Sequence, residues 1–565
     1  MRLALFTLLI PLLILAGPCI AQQDVDASAP QNAGATAQLR GKVEISGQVV
    51  DASSGQPLKK AWINARSSER GARNAITTVT DAEGRFDLKN LEPGRYQLVA
   101  QRNGYVRQSY GEKAQGEAGT PITVAAGQKF TDIVFRLVQG GVISGRIVDE
   151  DGEPLVRANV LALEFRYMAG KRKLIPVGSA SSDDRGEYRI FGIRPGQVYV
   201  RASFTGNGGF FDSGEEVESG AQAQSSYAPM FYPNVRNASQ AASISLHGGD
   251  ELHADFTLLP ERAYSISGRV TGGMPGASGR GTWLTLSPRG QTNMGFPNLG
   301  FQNNSFTDSD NKFTFRHVLP GSYYLMAQQN EEGKTASGKI AIDVGEGNVQ
   351  GVVVALAPRT EISGHIAFDS GVAGKVSGIR VSLVLDEGQN FMGGISAQVK
   401  DDGTFRIEAA PEEHYRLSVY GTGPDTYVRS ALAGREDVLE KGLTGGSSPS
   451  LEIVIAQGGQ VSGTVKKADG NADAGVSVVL VPEHRLAGLS DEDRTAVTDQ
   501  NGNYKVTGIR PGRYRVYAFE QMEPGAYQDE EWLKRYEADG KSVEISGTGQ
   551  ETLDLKPILA IAEQY

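Results

Sequence analysis

Thr498-Asp499-Gln500-Asn501-Gly502-Asn503-Tyr504, followed by Ile509-Arg510-Pro511-Gly512-Arg513-Tyr514, is the stretch that decides the fold. Near the other end of the chain stands Thr80-Asp81-Ala82-Glu83-Gly84-Arg85-Phe86, followed by Leu91-Glu92-Pro93-Gly94-Arg95-Tyr96. Ten residues separate Gly502 from Gly512 and Gly84 from Gly94, and the same ten separate Gly186 from Gly196 and Asn311 from Gly321. A polar turn, an aromatic residue and a second turn at fixed distance describe a β-hairpin that recurs.

Working outward, each copy is preceded by an apolar residue and Ser-Gly: Ile45-Ser46-Gly47, Ile143-Ser144-Gly145, Ile266-Ser267-Gly268, Ile362-Ser363-Gly364 and Val461-Ser462-Gly463. These glycines are 98, 123, 96 and 99 residues apart, which gives five units of one small domain each. Within a unit, short strands alternate in period two, as in Val381-Ser382-Leu383-Val384-Leu385, with one face expected to be buried. A closing strand follows, for example Phe130 to Leu137 or Val352 to Leu356. This pattern predicts an all-β chain of five tandem antiparallel seven-stranded Ig/transthyretin-like β-sandwiches. The expected boundaries are 43–138, 139–260 (with an excursion), 261–358, 359–457 and 458–558, leaving a tail at 559–565. Little helix is expected beyond Asp529 to Tyr536. Linkers such as Leu137-Val138-Gln139-Gly140-Gly141-Val142 are short enough to restrict neighbouring sandwiches. They predict a semi-rigid rod or arc, roughly 150–200 Å long if each unit contributes roughly 30–40 Å.

Composition narrows the function classes. A chain of 565 residues exceeds one hydrophobic core. Its net charge of −10 excludes a broad basic face for nucleic acid. Arg2, the apolar run Leu3 to Leu15, and Ala16-Gly17-Pro18-Cys19-Ile20-Ala21 read as a secretory signal over residues 1–21, cleaved after Ala21. Pro18 occupies the place where a lipoprotein needs a small residue before its lipid-bearing cysteine. Cleavage would leave a mature chain with no cysteine, hence no disulfide and no thiolate chemistry. Residues 22–42 carry no periodic pattern and are expected to be a disordered leader. No second apolar run reaches the length of a membrane helix. The expected location is therefore outside the cytoplasm, secreted, periplasmic or at the cell surface.

The Ser-Gly head, the Pro-Leu turns at Pro57-Leu58 and Pro154-Leu155, the Thr-Asp-x-x-Gly-x-Tyr/Phe turn and the Leu/Ile-x-Pro-Gly-x-Tyr turn together resemble the carboxypeptidase regulatory-like domain. The resemblance implies a transthyretin-like sandwich of the carbohydrate-binding-like fold and covers residues 43–558, with the first, second and fifth copies nearest to it. The third copy has Asn311 for the turn glycine. The fourth has Lys400-Asp401-Asp402-Gly403 without Thr-Asp, and Pro411-Glu412-Glu413-His414-Tyr415 without Pro-Gly. A family of this kind implies no activity by its name, since sandwiches host many functions.

Catalytic chemistry finds no foothold in the sequence. None of His247, His253, His317, His365, His414 and His484 is followed by Glu at the third position, and no nucleophile elbow or Walker loop is present. No cofactor, metal site or catalytic residue is expected. The acidic turn Asp308-Ser309-Asp310-Asn311 lacks the late glutamate of a calcium loop and reads as an Asx turn. Sugar binding asks for exposed aromatic faces flanked by hydrogen-bonding side chains. Trp62 precedes the core-facing Ile63, Trp283 falls opposite Ser477 of the fifth copy, and both should point outward. With Tyr232 and Trp532, from the clusters Tyr227/Phe231/Tyr232 and Tyr527/Trp532/Tyr536, they are the candidate ligand-binding residues; each cluster reads alternatively as a local core. The function expected is a non-catalytic exported protein binding glycan, polysaccharide or envelope components. The alternatives are a structural or adhesion stalk or scaffold, which would engage other envelope proteins, and the regulatory subunit of a carboxypeptidase-type hydrolase.

Overall fold

The computed structural model describes residues 43–67, 75–113, 116–168, 170–204, 225–274, 281–289, 303–331, 334–372, 374–385, 395–446, 450–489 and 493–560. The expected signal sequence with Cys19, the leader and the last residues of the tail lie outside them. Five apolar cores are present, each built within one repeat: Val43 to Leu137, Ile143 to Leu258, Tyr264 to Leu356, Ile362 to Ile455 and Val461 to Leu555. Described helix amounts to short turns, the longest being Glu530–Lys534 with Asp529 as N-cap.

Every repeat is organised around its Ser-Gly strand: Val43–Asp51, Gly141–Val148, Tyr264–Gly272, Thr360–Phe368 and Gly459–Thr464. On one side it pairs antiparallel with the first strand of the repeated hairpin, as in Gly47 opposite Phe86 and Gly463 opposite Tyr504. On the other it pairs with the closing strand, and there the strands run parallel, as in Val49 with Phe135 and Ile366 with Ile453. The described ladders are otherwise antiparallel, apart from a second parallel pair in the fifth repeat, where Ile558–Leu559 lies beside Gly512–Gln521. The closing strand reaches the first by crossing from the opposite sheet, the kind of connection a parallel pair requires.

The glycine of Ser-Gly follows from this close approach. A Cβ on Gly47 would sit 2.1 Å from the carbonyl oxygen of Ile133, and one on Gly268 2.0 Å from that of Val352. The ladder shifts register at the same point, between Ile45 and Gly47 and between Ile266 and Gly268.

The repeated phrase supplies three local latches. Asp81, Asp183, Asp308 and Asp499 each accept the backbone N–H of the residue four positions on through Oδ1, at 2.7–3.0 Å, which is the Asx turn. Asn311 takes the glycine's place at φ 58°. The Thr or Ser before the Asp is buried and clamps the preceding loop. Thr80 Oγ1 donates to Leu58 O at 2.6 Å and accepts from Ala61 N at 2.9 Å, and Thr498 Oγ1 does the same with Asp473 O and Val476 N. The tyrosine after Pro-Gly donates back four residues, Tyr96 to Glu92 O, Tyr323 to Leu319 O and Tyr514 to Arg510 O, at 2.8–2.9 Å. In the fourth repeat Val399 stands in for the Thr and is buried, while Tyr415 keeps its place by accepting from Ala410 N.

Two repeats depart from the common plan. In the third, Lys334–Val344 bridges Gly321–Glu331 and Val349–Pro358, so its strands form one continuous seven-stranded sheet. In the fifth, Ser477–Pro482 buries both faces: Val478 and Leu480 enter the sandwich core, while Val479 and Val481 join a second cluster with Tyr517, Phe519, Trp532 and Tyr536.

The chain also returns on itself, where the short linkers predict a semi-rigid rod or arc. Gln500, from the repeated turn of the fifth sandwich, makes a two-way bond with the Thr123 backbone of the first, accepting from its N at 3.0 Å and donating to its O at 2.8 Å. Arg95 donates to Val497 O, Glu117 Oε1 accepts Met522 N at 2.6 Å, and Lys113 reaches Asp473. The long hairpin of the second sandwich, Asn159–Met168 and Lys171–Ser181, brings Tyr167 into the second cluster of the fifth. Sandwiches one, two and five therefore pack together.

Candidate functional site

Trp62 and Trp283 open equivalent strands, Trp62–Ser67 and Trp283–Pro288, with the next residue, Ile63 or Leu284, buried in its core. Strand alternation turns both indoles away from the core, where they are 44% and 38% exposed. Their cross-strand surroundings nearly duplicate each other. Trp62 lies between Val79 and Gln101, and Trp283 between Phe306 and Gln328. Two residues on, Asn64 lies between Thr77 and Val99, and Thr285 between Asn304 and Met326. The Asn–Thr pair is conserved with its members exchanged: Asn64 Nδ2 donates to Thr77 Oγ1 at 3.3 Å, and Thr285 Oγ1 donates to Asn304 Oδ1 at 2.9 Å. In the third sandwich the Trp283 indole N–H donates to Thr285 Oγ1 at 2.8 Å, and Phe306 meets the ring edge-on at 5.4 Å.

The first face offers an apolar ring beside an amide and a hydroxyl, the elements that stack on a pyranose and bind its hydroxyls. In the third, Thr285 is buried with its hydroxyl engaged by the indole N–H and Asn304, leaving the ring and the Asn304 and Gln328 amides. The second, fourth and fifth sandwiches carry Asn159, Arg380 and Ser477 at the tryptophan position. Gln101, Gln328 and the Asn–Thr pairs were not foreseen from sequence, because cross-strand neighbours lie 13–45 residues away and only the register joins them.

The other two candidate aromatics sit in packed surroundings. Trp532 is 4% exposed and lies 5.2 Å from Phe519 and 4.8 Å from Tyr536, roofing the outer face of its sheet. No ring face is open to a ligand there. Tyr232 is half-buried, packs against the second core and meets Phe256 edge-on at 6.5 Å.

Among the described residues, no group of three His, Cys, Asp or Glu side chains is placed to hold a metal ion. His247 Nδ1 lies 3.0 Å from Asp250 and His253 Nδ1 2.9 Å from Ser144 Oγ, so each has a local partner. Asp308 spends Oδ1 on its own turn. No described helix is long and apolar enough to cross a membrane.

Residues 44–138 and 460–555 match the model of the carboxypeptidase regulatory-like domain. The first and fifth sandwiches are therefore members of that family. Over 495 residues the chain is 23% identical to the BOS complex subunit NOMO1 of Mus musculus, a match covering 84% of this chain and 35% of that protein. The chain thus spans about a third of the curated relative's length. Among solved structures, a minor pilin of Streptococcus agalactiae aligns with 42% of this chain and all of its own, at 13% identity and TM-score 0.21. A putative carbohydrate binding protein from Pseudomonas aeruginosa aligns with 16% of this chain and 88% of its own, at 19% identity and TM-score 0.13.

Proposed function

We propose that this protein is an exported, non-catalytic β-sandwich scaffold that binds polysaccharide through the faces centred on Trp62 and Trp283. The observation that carries this reading is the near-duplication of those faces. Two sandwiches of divergent sequence present the same Trp, Gln and Asn–Thr grouping in the same register. Core packing does not require it, because the equivalent positions in the other three sandwiches hold small, polar or charged residues. An exposed indole also costs solvation free energy, at about 25 cal/mol per Å² of apolar surface left in water. Two such faces on one chain would engage a polymer at two points, which raises avidity without any new contact.

Retention of the full chain on a panel of immobilised polysaccharides, beside Trp62→Ala, Trp283→Ala and the double variant, tests this. Each single change should weaken retention and the double change should abolish it. Retention indifferent to both, or none on any polysaccharide, sinks the reading. The structural alternative is favoured by a separate observation, the packing of sandwiches one, two and five, and predicts a scaffold whose partners are proteins.

A further inference from the structure

We infer that the faces joining the fifth sandwich to the first and second also join in trans, making a second copy of this chain a partner with which fifth sandwiches are exchanged. The five sandwich cores are each completed within one repeat, so the contact associates finished units. Gln500 and the Thr123 backbone bond both ways across it, at 3.0 and 2.8 Å. Tyr167 enters the outer cluster of the fifth sandwich as an apolar anchor. Gly475 lies so close to the first sandwich that a Cβ on it would meet Gly111 O at 2.9 Å.

The two faces carry opposite charge. Arg95, Lys113 and Arg172 stand on the side of the first and second sandwiches, and Asp473, Asp499, Glu520 and Glu523 on the fifth. Lys113 Nζ lies 2.6 Å from Asp473 Oδ1 and 3.3 Å from Glu520 Oε1, and Arg172 Nε lies 3.7 Å from Glu523 Oε2. Arg95 donates to Val497 O and lies in the field of Asp499. Glu117 has the other sign and accepts a backbone N–H, that of Met522, at 2.6 Å. Setting either face against its own kind would bring like charges together, whereas setting the two different faces together satisfies both. The contact is therefore heterologous, and it selects a fifth sandwich as partner of the first whichever chain supplies it.

The atoms that meet are the same in cis and in trans; only the tether differs. It consists of sandwiches three and four, joined to each other through Arg359 alone, between Val349–Pro358 and Thr360–Phe368. In cis the tether sets the effective concentration of the two faces, and in trans the protein concentration does. Two copies that exchange fifth sandwiches make both contacts between them, which closes the assembly at a dimer. The rearrangement falls on the linkers, in the manner of a hinge, and leaves every core intact. A contact built largely of hydrogen bonds and ion pairs resembles a transient protein–protein interface, which opens and re-forms. None of this depends on the polysaccharide reading.

The test is sedimentation velocity on charge-reversed variants of the full chain. Lys113→Glu sets like charges against Asp473 and Glu520, and Asp473→Lys with Glu520→Lys does so from the other side. Each variant alone should sediment as a monomer, more slowly than wild type because it is open. An equal mixture restores opposite charges at both contacts only in trans, and a species of twice the monomer mass should form. All three substitutions in one chain should return the fast-sedimenting monomer. A second arm keeps the native charges. In a Cys19→Ser background, chains with Thr123→Cys are mixed with chains with Gln500→Cys and treated with a short bismaleimide. Product of dimer mass should rise with protein concentration and exceed that from Thr123→Cys mixed with Ser370→Cys, an exposed position on the fourth sandwich. A mixture of charge-reversed chains that stays monomeric while the three-substitution chain closes overturns the inference. Where that chain fails to close, crosslinking no greater than in the Ser370→Cys control overturns it.

Discussion

The ammonium of Lys113 lies 2.6 Å from Oδ1 of Asp473, joining the first sandwich to the fifth across 360 residues of sequence. Lys113 is 17% exposed at its side chain and Asp473 only 2%, and Glu520 approaches the same ammonium at 3.3 Å. Loss of one member leaves Lys113 with Glu520 or Asp473 with Lys467 at 3.9 Å, so each should cost less than the about 3–5 kcal/mol of a buried charge left wholly without a partner. Asp473→Ala or Lys113→Ala should still separate the two sandwiches, read as an increased radius of gyration in small-angle scattering. Lys113→Met with Asp473→Leu should cost much less than either single loss. A scattering curve unchanged by either single substitution would show that the contact does not hold the chain closed.

Gly475 gives an independent route to the same opening. It has φ 75°, and a Cβ there would meet Thr120 Oγ1 at 2.7 Å and Gly111 O at 2.9 Å, both on the first sandwich. Gly475→Ala combines left-handed backbone strain of roughly 1–2 kcal/mol with that collision. Protease cleavage at the exposed junction should accelerate while the far-ultraviolet spectrum keeps its β signature. Wild-type protection in the variant would count against the packing described.

Trp532 and Trp62 should separate cleanly in stability. Removing the buried Trp532 empties the roof over Phe519 and Tyr536, and large-to-small core changes of this kind cost about 3–5 kcal/mol. Trp62→Ala, at an exposed strand position, should lie within about 1 kcal/mol of wild type. Urea unfolding followed by circular dichroism provides both values, and comparable losses would contradict the two placements.

Asp51 makes the first sandwich sensitive to acid. Hydrogen bonds from the Ser53 side chain, the Ser54 backbone and the Tyr105 hydroxyl hold its carboxyl well below the usual carboxylate range. Gln139 of the linker also donates to it, at 3.2 Å. A carboxylate whose pKa is depressed by folding contributes stability that is present above its unfolded value of about 3.9 and is lost as pH falls toward the folded one. Stability should therefore decline from about pH 4 downward. Asp51→Asn should be less stable at neutral pH and show a shallower decline. Parallel pH profiles for the two proteins would remove Asp51 as a contributor.

Much of the single-sandwich architecture was legible because its determinants are local. Thr80, Asp81 and Tyr96 each act within about twenty-five residues, so their spacing carries the hairpin. The parallel closing strand was not legible, since nothing in Phe130 to Leu137 marks strand direction. Trp532 was ambiguous for a definite reason. Whether it is exposed depends on whether the outer face of Ser477–Pro482 is covered, and the unbroken run Val478-Val479-Leu480-Val481 was the available signal, since a strand buried on both faces loses its alternation. Closure left the faintest trace. Lys113, Glu117, Thr123 and Gln500 are polar loop residues of the kind that also decorate free surfaces. Gln500 belongs to the repeated turn itself, so in the fifth copy that turn both fixes its own hairpin and docks on another sandwich.

The packing of sandwich five onto one and two gives the protein hidden length. In five beads joined only by their linkers, tension between the first and fifth would pass through every bead in series. Here it is borne first by side chains such as Lys113 and Asp473, while sandwiches three and four ride in an unloaded loop. Rupture of that contact would let the chain extend through sandwiches three and four with each core still intact.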